Sequence, residues 1–195
     1  MRKSSPRGNL LLVIGILLIS GAVLMMLSEW TAAHLHAIDN RETLAFLEQI
    51  LPERTPGIRE DRSNPEMPAA AFGNLDYSAV LAVPRLSVTL PVCNTWSRLN
   101  VRRVPCRFGG NPYDGTLIIG GADSAGQFDF LSRLDIGDGI TVTDMTGREF
   151  SYTVKTVLHA KNARSETLID VQYDLSLFAR MEKSGEVLIA RCSLR

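Results

Sequence analysis

The sequence predicts a mainly β protein that begins with a long apolar helix. From about residue 74 onward, seven or eight short runs rich in β-branched and aromatic residues alternate with turn residues, and helical patterns are sparse. Before that point, residues 9–27 are almost wholly apolar. Many short strands of this kind close into a barrel or stack as a sandwich, so we expect one of these two architectures.

The N-terminal segment, residues 1–30, is predicted to be a cytoplasmic tip and a transmembrane signal-anchor. Arg2, Lys3 and Arg7 precede the apolar residues 9–27. As a helix this run would be roughly 28 Å long, close to the ~30 Å hydrocarbon core of a bilayer. It is longer than a signal-peptide core, and no small-x-small cleavage site follows, which favours an anchor over a cleaved signal peptide. The positive charges place the N-terminus in the cytoplasm and the remaining chain outside the plasma membrane.

Residues 28–51 are predicted to form an amphipathic helix, because apolar residues recur at helical spacings without an intervening Gly or Pro. Pro52 ends this helix, and the proline-rich, charged residues 52–73 are predicted to be a linker. His34 and His36 lie in the helix, but positions two apart do not share a helix face. No cysteine or carboxylate pattern completes a metal site, so we expect no metal.

The β domain is predicted over residues 74–195. Its runs are separated by turn signals such as Asp144-Met145-Thr146-Gly147 and Lys183-Ser184-Gly185. The predicted strands are 77–83, 86–92, 116–120, 140–144, 149–160, 174–178 and 187–191.

Composition and charge exclude some classes of function. The chain has 195 residues, a formal net charge of zero and three cysteines. Its length predicts one domain plus an extension. A neutral balance argues against a nucleic-acid partner, whose phosphates require a basic face. Gly120-Gly121 lacks the Gly-Lys-Ser/Thr of a phosphate loop, so we expect no cofactor. Arg102, Arg103 and Arg107 form a small basic run, which we interpret as a solvated face rather than a site for an acidic wall polymer.

The stretch from Gly115 to Asp138 organises the domain. It reads as a buried strand, a glycine pair, an acidic turn and a short amphipathic helix, and a Gly-Asp turn closes it. A strand that stops on glycines before a short helix commonly presents a reactive side chain. The run resembles the sortases, the membrane-anchored cysteine transpeptidases of Gram-positive bacteria, and most of all their class B-like branch. The matching residues after the strand are Phe128, Leu131, Leu134, Gly137 and Asp138.

The resemblance covers about residues 75–195. It includes the paired strands LAVPRLSVTLPV at 81–92, the stretch from Trp96 to Phe108 and the hairpin ITVTDMTGREFSYTV at 140–154. It implies a sortase-like closed β-barrel of seven or eight strands with short helices. The apolar segment adds one transmembrane helix and an N-terminal helix before that barrel.

The resemblance also implies three catalytic positions, for a histidine, a cysteine and an arginine. Ala122 fills the histidine position, and Asp123 fills the asparagine position after it. The cysteine position follows Asp-Leu-Ser-Leu-Phe-Ala and is Arg180, while the arginine position is Glu186 or Val187, depending on the loop length. An alanine cannot transfer a proton and an arginine cannot form a thioester. The resemblance therefore implies a sortase scaffold with its catalytic residues replaced.

A relocated nucleophile is the alternative. His159 is the only histidine of the barrel region, and Cys192 or Cys106 is a conceivable partner, since catalytic pairs are recognised by geometry. The pattern places neither cysteine at a strand end beside His159. Buried cysteines acting as small hydrophobic residues, or one disulfide among Cys93, Cys106 and Cys192, are the other interpretations, and the pairing stays open.

We therefore interpret the chain as a catalytically inactive, sortase-like surface protein that binds a peptide or a partner. The binding groove is expected around Ala122, Asp123 and Arg180. The expected ligands are a sorting-signal peptide, a surface protein or an active sortase. The alternatives are an active cysteine transpeptidase or protease that attaches surface proteins to the cell wall with a non-standard site, or a decayed relative without a role.

Overall fold

The structure, a computed structural model, describes the backbone of residues 6–59, 66–161, 165–181 and 184–195. A single helix, α1 (Pro6–Ile50), runs through both predicted N-terminal helical segments, so one continuous helix replaces the expected two. The reason is local: the chain has no proline between Pro6 and Pro52 that would break the helix. Three predicted features lie outside the described residues. They are the tip at 1–5, the side chains of His34 and His36, and residues 60–65 of the predicted linker.

Within the described residues, no helix combines the length and apolarity that crossing a membrane requires. The two ends of α1 nevertheless differ in their surroundings. Apolar side chains between Ile14 and Met26 are exposed. Near the other end, Leu47 is buried with Tyr77 and Val80 of the barrel, and the Phe46 and Phe72 rings stack at 4.7 Å. The C-terminal end of α1 is therefore part of the folded domain.

After α1, the described residues form ten strands, which are joined by turns and short helices. They are β1 (Thr55–Pro56), β2 (Ala70–Phe72), β3 (Leu75–Val83), β4 (Val88–Cys93), β5 (Cys106–Gly109), β6 (Leu117–Ala122), β7 (Gly139–Asp144), β8 (Arg148–Ala160), β9 (Leu175–Arg180) and β10 (Val187–Leu194).

Eight of these strands close into a barrel. The pairing runs β3-β4-β5-β6-β9-β10-β8, and β7 completes the ring because it pairs with both β8 and β3. The pairs β4–β5 and β6–β9 are parallel, and the other pairs of the ring are antiparallel. The expected closed barrel of seven or eight strands is therefore confirmed. The strands β1 and β2 lie beside the ring, on β8 and β3.

The barrel interior is packed with alternating strand residues and with one short helix. This helix, Phe128–Arg133, is a 3-10 helix of six residues and lies where the short amphipathic helix was expected. Its tight turns bury Phe128, Phe130 and Leu131, and Leu134 directly after it is buried as well. The described part of the chain has two more short helices, a 3-10 helix at Pro84–Leu86 and α2 (Ser165–Leu168).

Candidate functional site

Two parallel strands bring the predicted catalytic positions together. Ala122 ends β6, Arg180 ends β9, and the two residues are register partners. Val187, the first residue of β10, is the register partner of Arg180 on its other side. Because the carboxyl ends of parallel strands meet at one edge of a sheet, Ala122, Arg180 and Val187 form a row at one end of the barrel.

A groove of ≈ 820 Å³ opens over this row. Its lining includes Ala122, Asp123, Arg180 and Val187. Glu186, the other candidate for the arginine position, does not line it. The Glu186 carboxylate instead lies 3.6 Å from His159 Nδ1 and 3.8 Å from Lys161 Nζ.

The floor of the groove is aromatic. Trp96, Phe108 and Phe178 contact one another with ring centroids 5.1 to 5.4 Å apart, and all three line the groove. These rings lie directly on β6: a Cβ atom at Gly120 would come within 2.5 Å of both Phe178 and Trp96. Gly120 is therefore required by close packing rather than by its backbone conformation.

Cations dominate the rim. Arg98, Arg102 and Arg180 line the groove and are exposed. Asp123 is the one carboxylate among the described lining residues. Guanidinium groups in this arrangement can hold carboxylates or other planar anions through paired hydrogen bonds.

Gln127 fixes the arginine-bearing loop to the end of β6. Its side chain is 1% exposed. Gln127 Oε1 accepts a hydrogen bond from the backbone N–H of Ala122 at 3.2 Å, and Gln127 Nε2 donates to the carbonyl oxygen of Arg102 at 2.9 Å. One buried amide therefore connects the two sides of the groove.

The buried guanidinium group of Arg191 fixes the segment that contributes Leu168 to the groove. Arg191 of β10 donates through Nη1 to the carbonyl oxygen of Leu168 at 2.7 Å and to Ser176 Oγ at 2.6 Å, and through Nη2 to the carbonyl oxygen of Thr167 at 2.6 Å. Burial lowers the pKa of Arg191. Leu168 lines the groove, so Arg191 positions this wall from behind.

The structure does not bring Cys192 and His159 together. Cys192 is 0% exposed in the barrel core and pairs with Val154, whereas His159 is exposed and pairs with Leu188. Burial raises the pKa of the Cys192 thiol to about 12, which disfavours the nucleophilic thiolate.

Cys106 lies against Cys93, its register partner on β4, under the end of α1. All three cysteines are free and buried. The Cys106 thiol donates to the carbonyl oxygen of Val104 at 3.3 Å. The proximity of the two thiols lowers the pKa of Cys93 and, together with burial, raises the pKa of Cys106. No group of His, Cys, Asp and Glu in the described parts of the chain could hold a metal ion.

The sequence reasoning missed most of the groove. It did not propose Trp96, Arg98, Phe108 or Phe178 as site residues, and it placed Arg102 on a solvated face. One sequence feature could have located the aromatic floor. Strands β6 and β9 carry apolar residues on both faces, which indicates that other side chains cover the outer face of the barrel at these strands. Leu177 and Ala179 point into the core, while Phe178 lies on the outer face in the aromatic cluster.

Comparisons with known proteins give structural matches. No family model and no curated protein matches the sequence. A lid mutant of sortase A from Corynebacterium diphtheriae matches with a TM-score of 0.56 and 18% identity, over 63% of this chain and 72% of that chain. A sortase D5 transpeptidase from Clostridium perfringens matches with a TM-score of 0.54 and 15% identity, over 62% and 79%. Sortase C1 from Streptococcus suis matches with a TM-score of 0.51 and 17% identity, over 61% and 73%.

These structures represent sortase classes A, C and D, so the class B-like branch of the sequence resemblance stays a prediction. At such identities the likeness concerns the backbone rather than the chemistry. It establishes that this chain has the closed β-barrel fold of the sortases.

Proposed function

We propose that the chain is a membrane-anchored, class B-like sortase homologue of the Gram-positive cell surface that binds a peptide or protein partner without catalysing transpeptidation. The observation that carries this proposal is the row of Ala122, Arg180 and Val187 at the groove. The row contains neither a thiol nor an imidazole, while the barrel that would position them is intact.

The groove supports a binding role. The aromatic floor offers apolar surface to a ligand, and the arginines on the rim of the groove offer hydrogen-bond donors. A sorting-signal peptide, a surface protein and an active sortase are the partners in view. Each would present an extended segment that fits a groove of ≈ 820 Å³.

The membrane anchor is supported by the sequence and by α1. Residues 9–27 have the apolar length of a bilayer span, and arginine and lysine precede them. The side chains between Ile14 and Met26 make an exposed apolar surface of the kind that lipid covers. On this proposal the N-terminus is cytoplasmic and the barrel is extracytoplasmic.

The test uses the full chain in detergent micelles with a fluorogenic library of sorting-type peptides and triglycine as the amine acceptor. We expect saturable peptide binding without cleavage or transfer. Turnover that is lost in Cys192→Ala or Cys106→Ala would establish the alternative, an active cysteine transpeptidase with a relocated nucleophile. Neither binding nor turnover would leave a decayed relative and would overturn the proposal.

A further inference from the structure

We propose that the groove selects an acidic peptide: an extended segment in which an apolar side chain is flanked by aspartate or glutamate. This inference rests on the proposed binding function and names its ligand class. The juxtaposition that carries it is an aromatic floor of Trp96, Phe108 and Phe178 beneath three arginines, Arg98, Arg102 and Arg180.

The groove arginines differ from most exposed arginines elsewhere in the described chain. Four exposed arginines outside the groove each pair with a carboxylate, namely Arg54 with Glu149, Arg59 with Asp174, Arg85 with Asp138 and Arg133 with Asp129. In the described parts of the chain, Arg98, Arg102 and Arg180 have no such partner, although Asp123 lines the same groove. These three guanidinium groups are therefore available to the carboxylates of a ligand.

The aromatic floor favours an acidic peptide over an anionic polymer of sugar or glycerol phosphates. A polymer of sugar or glycerol phosphates would satisfy the arginines but has no apolar side chain to cover the aromatic cluster. A peptide supplies both groups, because a leucine or phenylalanine side chain can enter the floor while neighbouring carboxylates reach the rim. Leu168, Met181 and Val187 extend the apolar surface along the groove.

The backbone of the segments that carry the three groove arginines is held in place before any ligand arrives. Arg98 and Arg102 belong to the loop after β4, and the hydrogen bond from Gln127 to the carbonyl oxygen of Arg102 ties that loop to the barrel. Arg180 is the last residue of β9 and is fixed by strand pairing on both sides. A backbone that is already ordered loses less conformational entropy on binding, which favours a specific ligand over a diffuse ion atmosphere.

Isothermal titration calorimetry on the full chain in micelles tests the proposal. The probe is an octapeptide with two aspartates and two glutamates around a central Leu-Phe pair. Matched peptides carry asparagine and glutamine, or lysine, at the acidic positions, and another replaces Leu-Phe with Ser-Ser. We expect the acidic peptide to bind at least about tenfold more tightly than each matched peptide, with an affinity that falls as ionic strength rises.

Variants locate the site. Arg98→Gln, Arg102→Gln and Arg180→Gln together should weaken the acidic peptide about tenfold or more and leave the neutral peptide nearly unchanged. Arg54→Gln, the same change at an exposed arginine outside the groove, is the matched control and should alter neither affinity. A melting curve of each variant confirms that the barrel remains folded.

The outcomes separate this inference from the proposed function. Equal binding of the neutral and acidic peptides would overturn the acidic ligand but keep a peptide-binding groove. Equal binding of the Ser-Ser peptide would overturn it by showing that the aromatic floor does not contribute. Equal or tighter binding of poly(glycerol phosphate) would overturn it in favour of a phosphate polymer. Binding of none of the peptides would overturn both proposals, and peptide turnover would overturn only the non-catalytic role.

Discussion

The buried amide of Gln127 donates a hydrogen bond to the carbonyl oxygen of Arg102 at 2.9 Å, which joins the end of β6 to the loop that bears two groove cations. We expect Gln127→Met to fill the same space but leave that carbonyl and the N–H of Ala122 without their partner. Losing both bonds should lower the free energy of unfolding by about 1–3 kcal/mol. Amide hydrogen exchange should accelerate at residues 98–104.

The exposed Gln172, changed to Met, is the control for this substitution. It should shift neither the melting temperature nor the exchange of the 98–104 amides. Unchanged exchange in the Gln127 variant would show that the loop is held by other contacts.

Gly120→Ala tests the close approach of the aromatic floor to β6. The added methyl group would meet Phe178 and Trp96 at 2.5 Å, so the rings must move outward. We expect a loss of about 1–3 kcal/mol in stability and a shifted Trp96 fluorescence maximum. Gly109→Ala, in the neighbouring strand with open space around the new Cβ, should leave the fluorescence unchanged. Equal effects of the two changes would contradict the described packing.

Arg180→Cys tests whether the end of β9 presents its side chain to the groove. The native cysteines are buried, so iodoacetamide should label one new thiol in the folded variant. Because Ala122 is its register partner, adding Ala122→His should place an imidazole beside that thiol, lower its pKa and speed alkylation near neutral pH. Lys155→Cys, at an exposed position of β8, provides the reference rate. If the histidine has no effect on the rate, the two side chains do not face each other.

The ion pair of Arg85 and Asp138 predicts an acid-dependent stability. Hydrogen bonds from Arg85, with both contacts at 2.6 Å, lower the pKa of Asp138. A carboxyl group whose pKa is lower in the folded state than in the unfolded state stabilises the fold. Its full contribution is present above the unfolded-state pKa of about 4. The contribution is lost as the pH falls through the lower, folded-state pKa. Asp138→Asn should therefore lower the melting temperature at neutral pH and flatten its decline in acid.

Asp135 is the matched control for Asp138. It contacts the same guanidinium at 3.2 Å, but its side chain is 78% exposed. Exposed pairs contribute little, so Asp135→Asn should leave the melting profile against pH close to that of the unchanged chain. Similar acid profiles for all three proteins would exclude a role of the Asp138 ion pair.

The barrel could be predicted because its determinants are local. Turn residues and apolar alternation located seven strands, and the structure extends or shifts their ends by only a few residues. The short strands β1, β2 and β5 were missed, since two to four residues carry no recognisable period. The continuity of α1 was missed because residues 9–27 and 28–51 differ in polarity, although nothing in their backbone propensity separates them.

The groove could be predicted only in part. Ala122 and Arg180 were located because each ends a strand with a recognisable pattern. The aromatic floor is assembled from three distant segments, the loop after β4, β5 and β9, and a contact of this kind has no local signature. The arginines of the basic run have different surroundings, which their sequence does not reveal. Arg107 donates to the carbonyl oxygen of Gly110, while Arg102 lines the groove.

The length of α1 determines how far the barrel lies from the apolar residues at the other end of the helix. It continues as one α-helix from the apolar residues to Asn40, whose side chain donates to the carbonyl oxygen of Gly126, and to Leu47 in the barrel. At ~1.5 Å per residue, the segment between residues 27 and 40 is about 20 Å long. With residues 9–27 in the bilayer, as proposed, α1 would act as a spacer of fixed height. The groove would then sample only those segments that neighbouring molecules present at that height above the lipid.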